Sequence, residues 1–188
     1  MKIKSRAAKA KPKSPYWKDK LHQYRPWLAG IATGLRARKI VEVGVYQGKL
    51  TAYLARSTRA TVYAVDHWRG PAAYPGSGLR CDETTEAAFR RRVAPWLKEG
   101  RVVVVKEESV AAAGKLLDAF GPVFDLVFID AAHDYESVRA DILAWRPLVR
   151  PGGILCGHDY NWDGVRRAVG ELVPAHKTGG GVCWWTEI

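Results

Sequence analysis

The sequence predicts an α/β fold, doubly wound, with a sheet of about seven strands and helices on both faces. Three observations predict it. Five short runs rich in Val and Ile are nearly continuous in apolar character, as strands covered on both faces are. A helical stretch separates each run from the next, which is the signature of crossovers in a parallel sheet. The length of 188 residues, 47% of them hydrophobic, suits one domain with a sizeable core.

Residues 1–15 (MKIKSRAAKAKPKSP) are basic, small or helix-breaking and have almost nothing to bury, so they read as a flexible arm. Residues 16–38 form an N-terminal helical segment. Its apolar positions Trp17, Leu21, Tyr24, Trp27, Leu28, Ile31 and Leu35 recur at steps of three and four, with Pro26 as an expected break. Residues 39–188 form the main domain. Its strands are expected at Lys39–Gly44, Thr61–Asp66, Arg101–Lys106, Val123–Asp130 and Gly153–Gly157. Helices are expected at Lys49–Ser57, Thr84–Trp96, Val110–Phe120, Tyr135–Leu148 and Gly164–Val173. Asp134 is placed to cap the helix at Tyr135, with Ser137 and Asp141 on its solvated face. The end, HKTGGGVCWWTEI, carries a triple glycine between two short extended runs and reads as a hairpin.

Composition excludes several classes. No run of 18 apolar residues exists to span a membrane. Cys81, Cys156 and Cys183 are too few and too scattered for a disulfide framework, which predicts a reducing, cytoplasmic setting. The net charge of +11 suggests nucleic acid until its position is examined. Residues 1–39 hold twelve Lys/Arg against one acid, Asp19, whereas residues 40–188 hold eighteen of each sign. The body is formally neutral, and a nucleic-acid-binding body would carry the charge on its working face.

In an open parallel sheet, ligands bind beyond the carboxyl ends of the strands. The first strand ends in Glu42-Val-Gly44-Val-Tyr-Gln-Gly48, whose glycines permit a tight turn and close approach of backbone to ligand. The second ends in Asp66, 22 residues past Gly44, where an acid can accept both ribose hydroxyls of an adenosine cofactor. A pyrophosphate-binding loop needs a glycine at the position of Tyr46, so a cofactor without pyrophosphate is favoured. Glu107, Glu108 and Ser109 follow the third strand, where an acid or hydroxyl would meet an adenine; a charged loop is the plainer reading.

The fourth and fifth strand ends, Asp130-Ala-Ala-His133-Asp-Tyr135 and His158-Asp159-Tyr160, bring two carboxylates and two imidazoles to one crevice. Asp130 and Asp159 are hard oxygen ligands suited to Mg²⁺, with His158 as a third candidate ligand. His133 is placed to take a proton. The loop at 67–82 has the length of a lid or binding loop. Trp68, Tyr74, Trp162, Trp184 and Trp185 offer flat faces to a substrate, although core packing is the commoner use of such rings.

The stretches IVEVGVYQGKLTAYLA, VYAVDHWRG and FDLVFIDAAHDYESVRADILAWRPLVRPGGILCGHDY resemble class I S-adenosylmethionine-dependent methyltransferases. The branch they are most like contains macrocin-type and other sugar O-methyltransferases. The resemblance runs from Lys39 to the C-terminus. It implies a Rossmann-like sheet of seven strands, six parallel and an antiparallel seventh from the C-terminal hairpin. Glu42, Gly44 and Gly48 would then shape the pocket for the methionine moiety, Asp66 would hold the ribose, and Glu108 and Ser109 would lie near the adenine. Asp130 would serve both cofactor and metal, with Asp159 as its partner ligand for Mg²⁺. Relatives often carry a second acid or an Asn beside the latter, where this chain has His158 and Tyr160. His133 matches the general base, and the implied reaction is methyl transfer from the sulfonium to a sugar or aromatic hydroxyl.

Two other readings compete. One is a nucleic-acid-binding protein or RNA methyltransferase anchored by the basic arm, although no Asn/Asp-Pro-Pro-aromatic motif for base amines is present. The other is an NAD-dependent dehydrogenase, which the glycine spacing disfavours. The Tyr16–Leu35 helix also suits the pairing of two copies into a homo-oligomer.

Overall fold

The computed structural model describes residues 23–70 and 81–188. Its elements run in the order α1 (Tyr24–Gly34), β1 (Lys39–Val43), α2 (Lys49–Ser57), β2 (Thr61–Val65), α3 (Glu83–Lys98), β3 (Val102–Val105) and α4 (Ser109–Phe120). There follow β4 (Phe124–Ile129), α5 (Tyr135–Trp145), a 3₁₀ turn (Arg146–Leu148), β5 (Val149–Gly157), α6 (Asp163–Leu172), β6 (Lys177–Gly179) and β7 (Cys183–Glu187). Seven strands form one sheet in the order β3-β2-β1-β4-β5-β7-β6. Strands β1 to β5 pair in parallel, and β7 runs antiparallel to both β5 and β6. Six strands therefore point one way and β7 alone points back, as expected.

The apolar runs are double-faced because alternate residues serve different layers. Ile40, Val62, Leu126 and Phe128 pack with Leu28 of α1, Leu54 of α2 and Phe89 of α3. Their neighbours Val41, Val65, Val127 and Ile129 pack with Leu116 of α4, Ile142 and Trp145 of α5, and Val169 of α6. Such burial on both faces is what makes a Val/Ile-rich run a central strand. The chain winds outward from β1 to β3, then crosses back to β4. That reversal opens a crevice between the carboxyl ends of β1 and β4, the place where ligands bind in this architecture.

Several boundaries differ from expectation. Pro26 lies in the first turn of α1 and does not break it, because its missing N–H would have no intrahelical acceptor there. The Tyr16–His22 part of the expected helix lies outside the described residues, as do the arm and Tyr74. β5 begins at Val149, four residues early, although Pro151-Gly152-Gly153 reads as a turn. Gly152 donates to the carbonyl of Ile188 at 2.7 Å and Ile188 donates to that of Gly153 at 3.0 Å, so the chain end draws this stretch into the sheet.

Asp141 is not solvated. It is 4% exposed and accepts the Ser109 hydroxyl, which in turn accepts the Trp145 indole N–H at 2.9 Å. Asp134 caps α5 as expected, accepting the Ser137 N–H at 2.9 Å.

Candidate active site

The β1–α2 loop forms one wall of the crevice. Gly44 has φ +84, and a Cβ there would sit 2.2 Å from the carbonyl oxygen of Asp130. Gly48 has φ +72 and precedes α2, with the Phe89 ring 2.5 Å from where its Cβ would be. Both positions exclude a side chain, for conformation and for space. Glu42 is buried in β1 and accepts the Thr51 hydroxyl at 2.7 Å. Burial, reinforced by the nearby charges of Asp130 and Asp66, lifts its carboxyl well above the usual range against that hydrogen bond.

Asp66 ties two loops together. One oxygen accepts the Tyr46 N–H at 2.9 Å and the other the Trp68 N–H at 2.8 Å, while the Trp68 indole donates to the Tyr46 carbonyl at 2.8 Å. Each oxygen retains a lone pair for a further donor. Trp68 is therefore a buried strut against Phe89, with ring centroids 5.1 Å apart. Beyond β2 and β3 lies a cleft of about 590 Å³ lined by His67, Arg69, Asp82, Glu86, Lys106 and Glu107 among others, within the range for small-molecule sites. Glu108 is exposed and pairs with Arg69 at 2.6 Å and with His67 at 3.5 Å. The Ser109 hydroxyl donates its proton to Asp141 and accepts the Trp145 indole N–H, so it has no donor left for an adenine.

The opposite wall carries the ionisable cluster. His133 Nε2 lies 2.7 Å from Asp159 Oδ2, and His158 Nδ1 lies 3.2 Å from Asp159 and 3.6 Å from Asp130. Burial raises Asp130, whereas at Asp159 the hydrogen bonds of both imidazoles outweigh burial and hold the carboxyl far below its ordinary value. At His133 burial disfavours the charged form, but the hydrogen bond and charge of Asp159, with Asp130, leave its pKa raised. His158 behaves likewise. Asp159 has φ +56; Tyr46 (φ +49) and Trp68 (φ +52) share this left-handed conformation at other strand ends. Non-glycine residues so held gather where structure around them fixes a functional geometry.

One ligand atom from each of Asp130, His133 and Asp159 lies within 4.8 Å of the others, a spacing and donor chemistry that fit a divalent ion. The imidazole in that set is His133 and not the expected His158. His158 is 7% exposed and lies under the Tyr24 ring at 4.6 Å, with its Nε2 buried and unpartnered.

Sequence reasoning missed Tyr24 and Arg25 of α1 as neighbours of this cluster. Tyr24 stacks on Phe128 at 5.9 Å, and its helical spacing marked it only as a core position. It also missed His176, whose Nε2 lies 2.6 Å from the Tyr160 hydroxyl and ties the β5–α6 loop to the segment before β6. Of the flagged aromatic residues, Trp184 is buried and Trp185 lies beneath Lys177. Trp162 is 44% exposed and stacks over His133 at 5.1 Å.

No curated protein sequence matches the chain significantly. Among solved structures, the O-methyltransferase from Bacillus cereus in complex with SAH superposes with a TM-score of 0.65 at 20% identity, covering 94% of this chain and 82% of that one. TomG from Streptomyces achromogenes, an O-methyltransferase of tomaymycin synthesis, gives 0.63 at 15% identity over 93% and 90%. CalS11, a TDP-rhamnose 3'-O-methyltransferase of calicheamicin biosynthesis, gives 0.61 at 16% identity over 93% and 80%. These likenesses establish the fold, that of class I S-adenosylmethionine-dependent methyltransferases. Residues 41–160 match the model of a family described as a methyltransferase domain, from the second half of the crevice-forming β1 to the loop that carries Asp159, and the chain belongs to that family of methyltransferases.

Proposed function

We propose that the protein transfers a methyl group from S-adenosylmethionine to a hydroxyl of a small molecule, a sugar or an aromatic compound. The observation that carries this reading is the hydrogen-bonded His133–Asp159 pair facing, across the Gly44–Asp130 contact, a wall suited to an aminoacyl nucleoside. On that wall Glu42 suits the ammonium of the methionine end. The left-handed backbone at Gly44 and Gly48 shapes the turn beside the chain of the ligand, and the remaining lone pairs of Asp66 suit the ribose hydroxyls. S-adenosylmethionine supplies the methyl group: its carbon–sulfur bond breaks as the oxygen–carbon bond forms, leaving S-adenosylhomocysteine.

His133 receives the hydroxyl proton. With Nε2–H donated to Asp159, the basic nitrogen of the neutral ring is Nδ1, and that atom takes the proton. Asp159 holds the ring in this tautomer and stabilises the imidazolium that forms, the division of labour seen wherever a carboxylate orients a histidine base. Trp162, stacked on His133, extends a flat apolar surface toward the acceptor. A divalent ion would be held by Asp130 and Asp159, with His133 left as the base, and would lower the pKa of the acceptor hydroxyl.

The test pairs binding with turnover. S-adenosylhomocysteine at 100 times its Kd stabilises by about 2.7 kcal/mol, about 5–11 °C in Tm at this chain length. His133→Ala is expected to keep that shift and to lose methyl transfer to a panel of phenols and sugars. No shift in the unsubstituted protein, or full turnover in the variant, refutes the assignment.

A further inference from the structure

We infer that Arg25, in the first turn of α1, is the counter-charge for the carboxylate at the amino-acid end of the bound cofactor, so that α1 completes the cofactor site. The inference rests on the proposed use of S-adenosylmethionine. It starts from the charges of the crevice. The wall formed by β1 and β2 presents Asp66, with Glu42 buried behind it, and the opposite wall presents Asp130 and Asp159. Such a site welcomes an ammonium and a sulfonium and repels a carboxylate, yet the amino-acid end of the cofactor carries all three groups.

The cations nearby are mostly committed. His133 and His158 face Asp159 and Asp130. Arg92 donates to the Gln47 carbonyl, and Arg69 pairs with Glu108 on the adenosine side. Arg25 differs: its guanidinium lies against the Tyr24 ring and meets the Tyr24 hydroxyl but has no ion pair among the described residues, and its Nε is buried without a hydrogen-bond partner. A buried unpaired N–H is costly, and a guanidinium is the group that meets a carboxylate with two parallel hydrogen bonds.

Its location is fixed from two sides. Tyr24, the preceding residue, is wedged against Phe128 of β4 and His158 at the end of β5. One turn on, the Trp27 indole fills the space at Gly179 and Gly180 of the hairpin, 2.8 and 2.7 Å from where their Cβ atoms would be. The first turn of α1 is thereby held over the strand ends. The charge of Arg25 acts there on both Glu42 and Asp130, the two acids that bracket the Gly44 turn. That is the end of the crevice assigned to methionine, away from the cleft beyond β2 and β3.

A pair of ligands tests the assignment: S-adenosylhomocysteine and its decarboxylated analogue, which keeps the ammonium and the adenosine but lacks the carboxylate. By calorimetry the unsubstituted protein is expected to prefer S-adenosylhomocysteine by about tenfold or more. Arg25→Ala is expected to abolish that preference by weakening S-adenosylhomocysteine alone, and Arg25→Lys to restore part of it. A structural role predicts instead that Arg25→Ala weakens both ligands equally or neither, which overturns the inference. Should Arg25→Ala fail to fold, Arg25→Gln gives the same ratio to measure. If the unsubstituted protein binds neither ligand, the cofactor reading falls first, and this inference with it.

Discussion

Replacing Asp141 by Asn should make the protein more stable at neutral pH than at acid pH, relative to the original. Burial pushes the Asp141 carboxyl up to about 6 from an ordinary 3.8, with the Ser109 hydrogen bond opposing and the charge of Asp134 assisting. The folded state thus holds this proton more tightly than the unfolded chain does. The stabilisation is complete below pH 3.8 and is lost as pH rises through 6. At about 1.4 kcal/mol per pH unit, the ionised carboxylate costs about 3 kcal/mol at pH 8. An asparagine oxygen still accepts from Ser109 and never ionises, although its buried NH₂ then needs an acceptor and takes back part of the gain. The secure observable is the slope. The difference in Tm between variant and original should grow from pH 4 to pH 8 by up to about 5–10 °C, at 2–4 °C per kcal/mol. A difference that stays flat or shrinks over that range would refute the reasoning.

Asp159→Asn should lower kcat and move the acid limb of the kcat/KM profile to lower pH. His133 is faced by Asp159, Asp130 and His158, and removing the first deletes the hydrogen bond and charge that hold its pKa above the ordinary imidazole value. An unmoved acid limb would exclude His133 as the titrating base. Gly44→Ala should cost at least about 1–2 kcal/mol from the left-handed backbone alone, and a Cβ 2.2 Å from the Asp130 carbonyl oxygen must displace that residue. Loss of the S-adenosylhomocysteine-induced Tm shift is the expected result in a melt; retention of it would show that the turn adapts.

The architecture was legible because its signal is periodic and local. Each Val/Ile run, with a helix on either side, reports its own double burial, and the order of runs and helices permits few windings. The ends of those runs could therefore be read as one crevice before any coordinates, which is why Asp130, His133, His158 and Asp159 were grouped correctly. What stayed hidden depends on direction and on partners remote in sequence. His158 and His133 are equivalent as residue types and both reach Asp159, but only the fold buries one under Tyr24 and stacks the other on Trp162. Ser109 sits where an adenine contact was expected, yet Trp145 and Asp141, more than 30 residues away, claim its hydroxyl. Asp141 lies on an amphipathic helix whose polar positions are normally wet, and nothing in the spacing shows that α4 covers it. Arg25 was masked by a charge count that pooled residues 1–39 and so did not separate it from the other basic residues there.

The two walls of the crevice do not act independently, and Gly44 is where they join. Its N–H donates to the Val65 carbonyl, Asp130 N–H donates to the Val43 carbonyl, and the space left by its missing side chain is filled by the Asp130 carbonyl. The turn that shapes the cofactor wall therefore also fixes the position of the first residue of the ionisable cluster. On the cofactor side, Asp66 pins both Tyr46 and Trp68 in left-handed conformations; on the other, two imidazoles pin Asp159 in one. Each strained backbone is thus held by hydrogen bonds or ion pairs to a carboxylate within the crevice. In methyl transfer the reacting oxygen, carbon and sulfur must be in line, and rate depends on how closely the two walls keep their separation. A fold that fastens them through one glycine contact and three restrained loops keeps that separation fixed, which is what the proposed roles of Asp66 and His133 require.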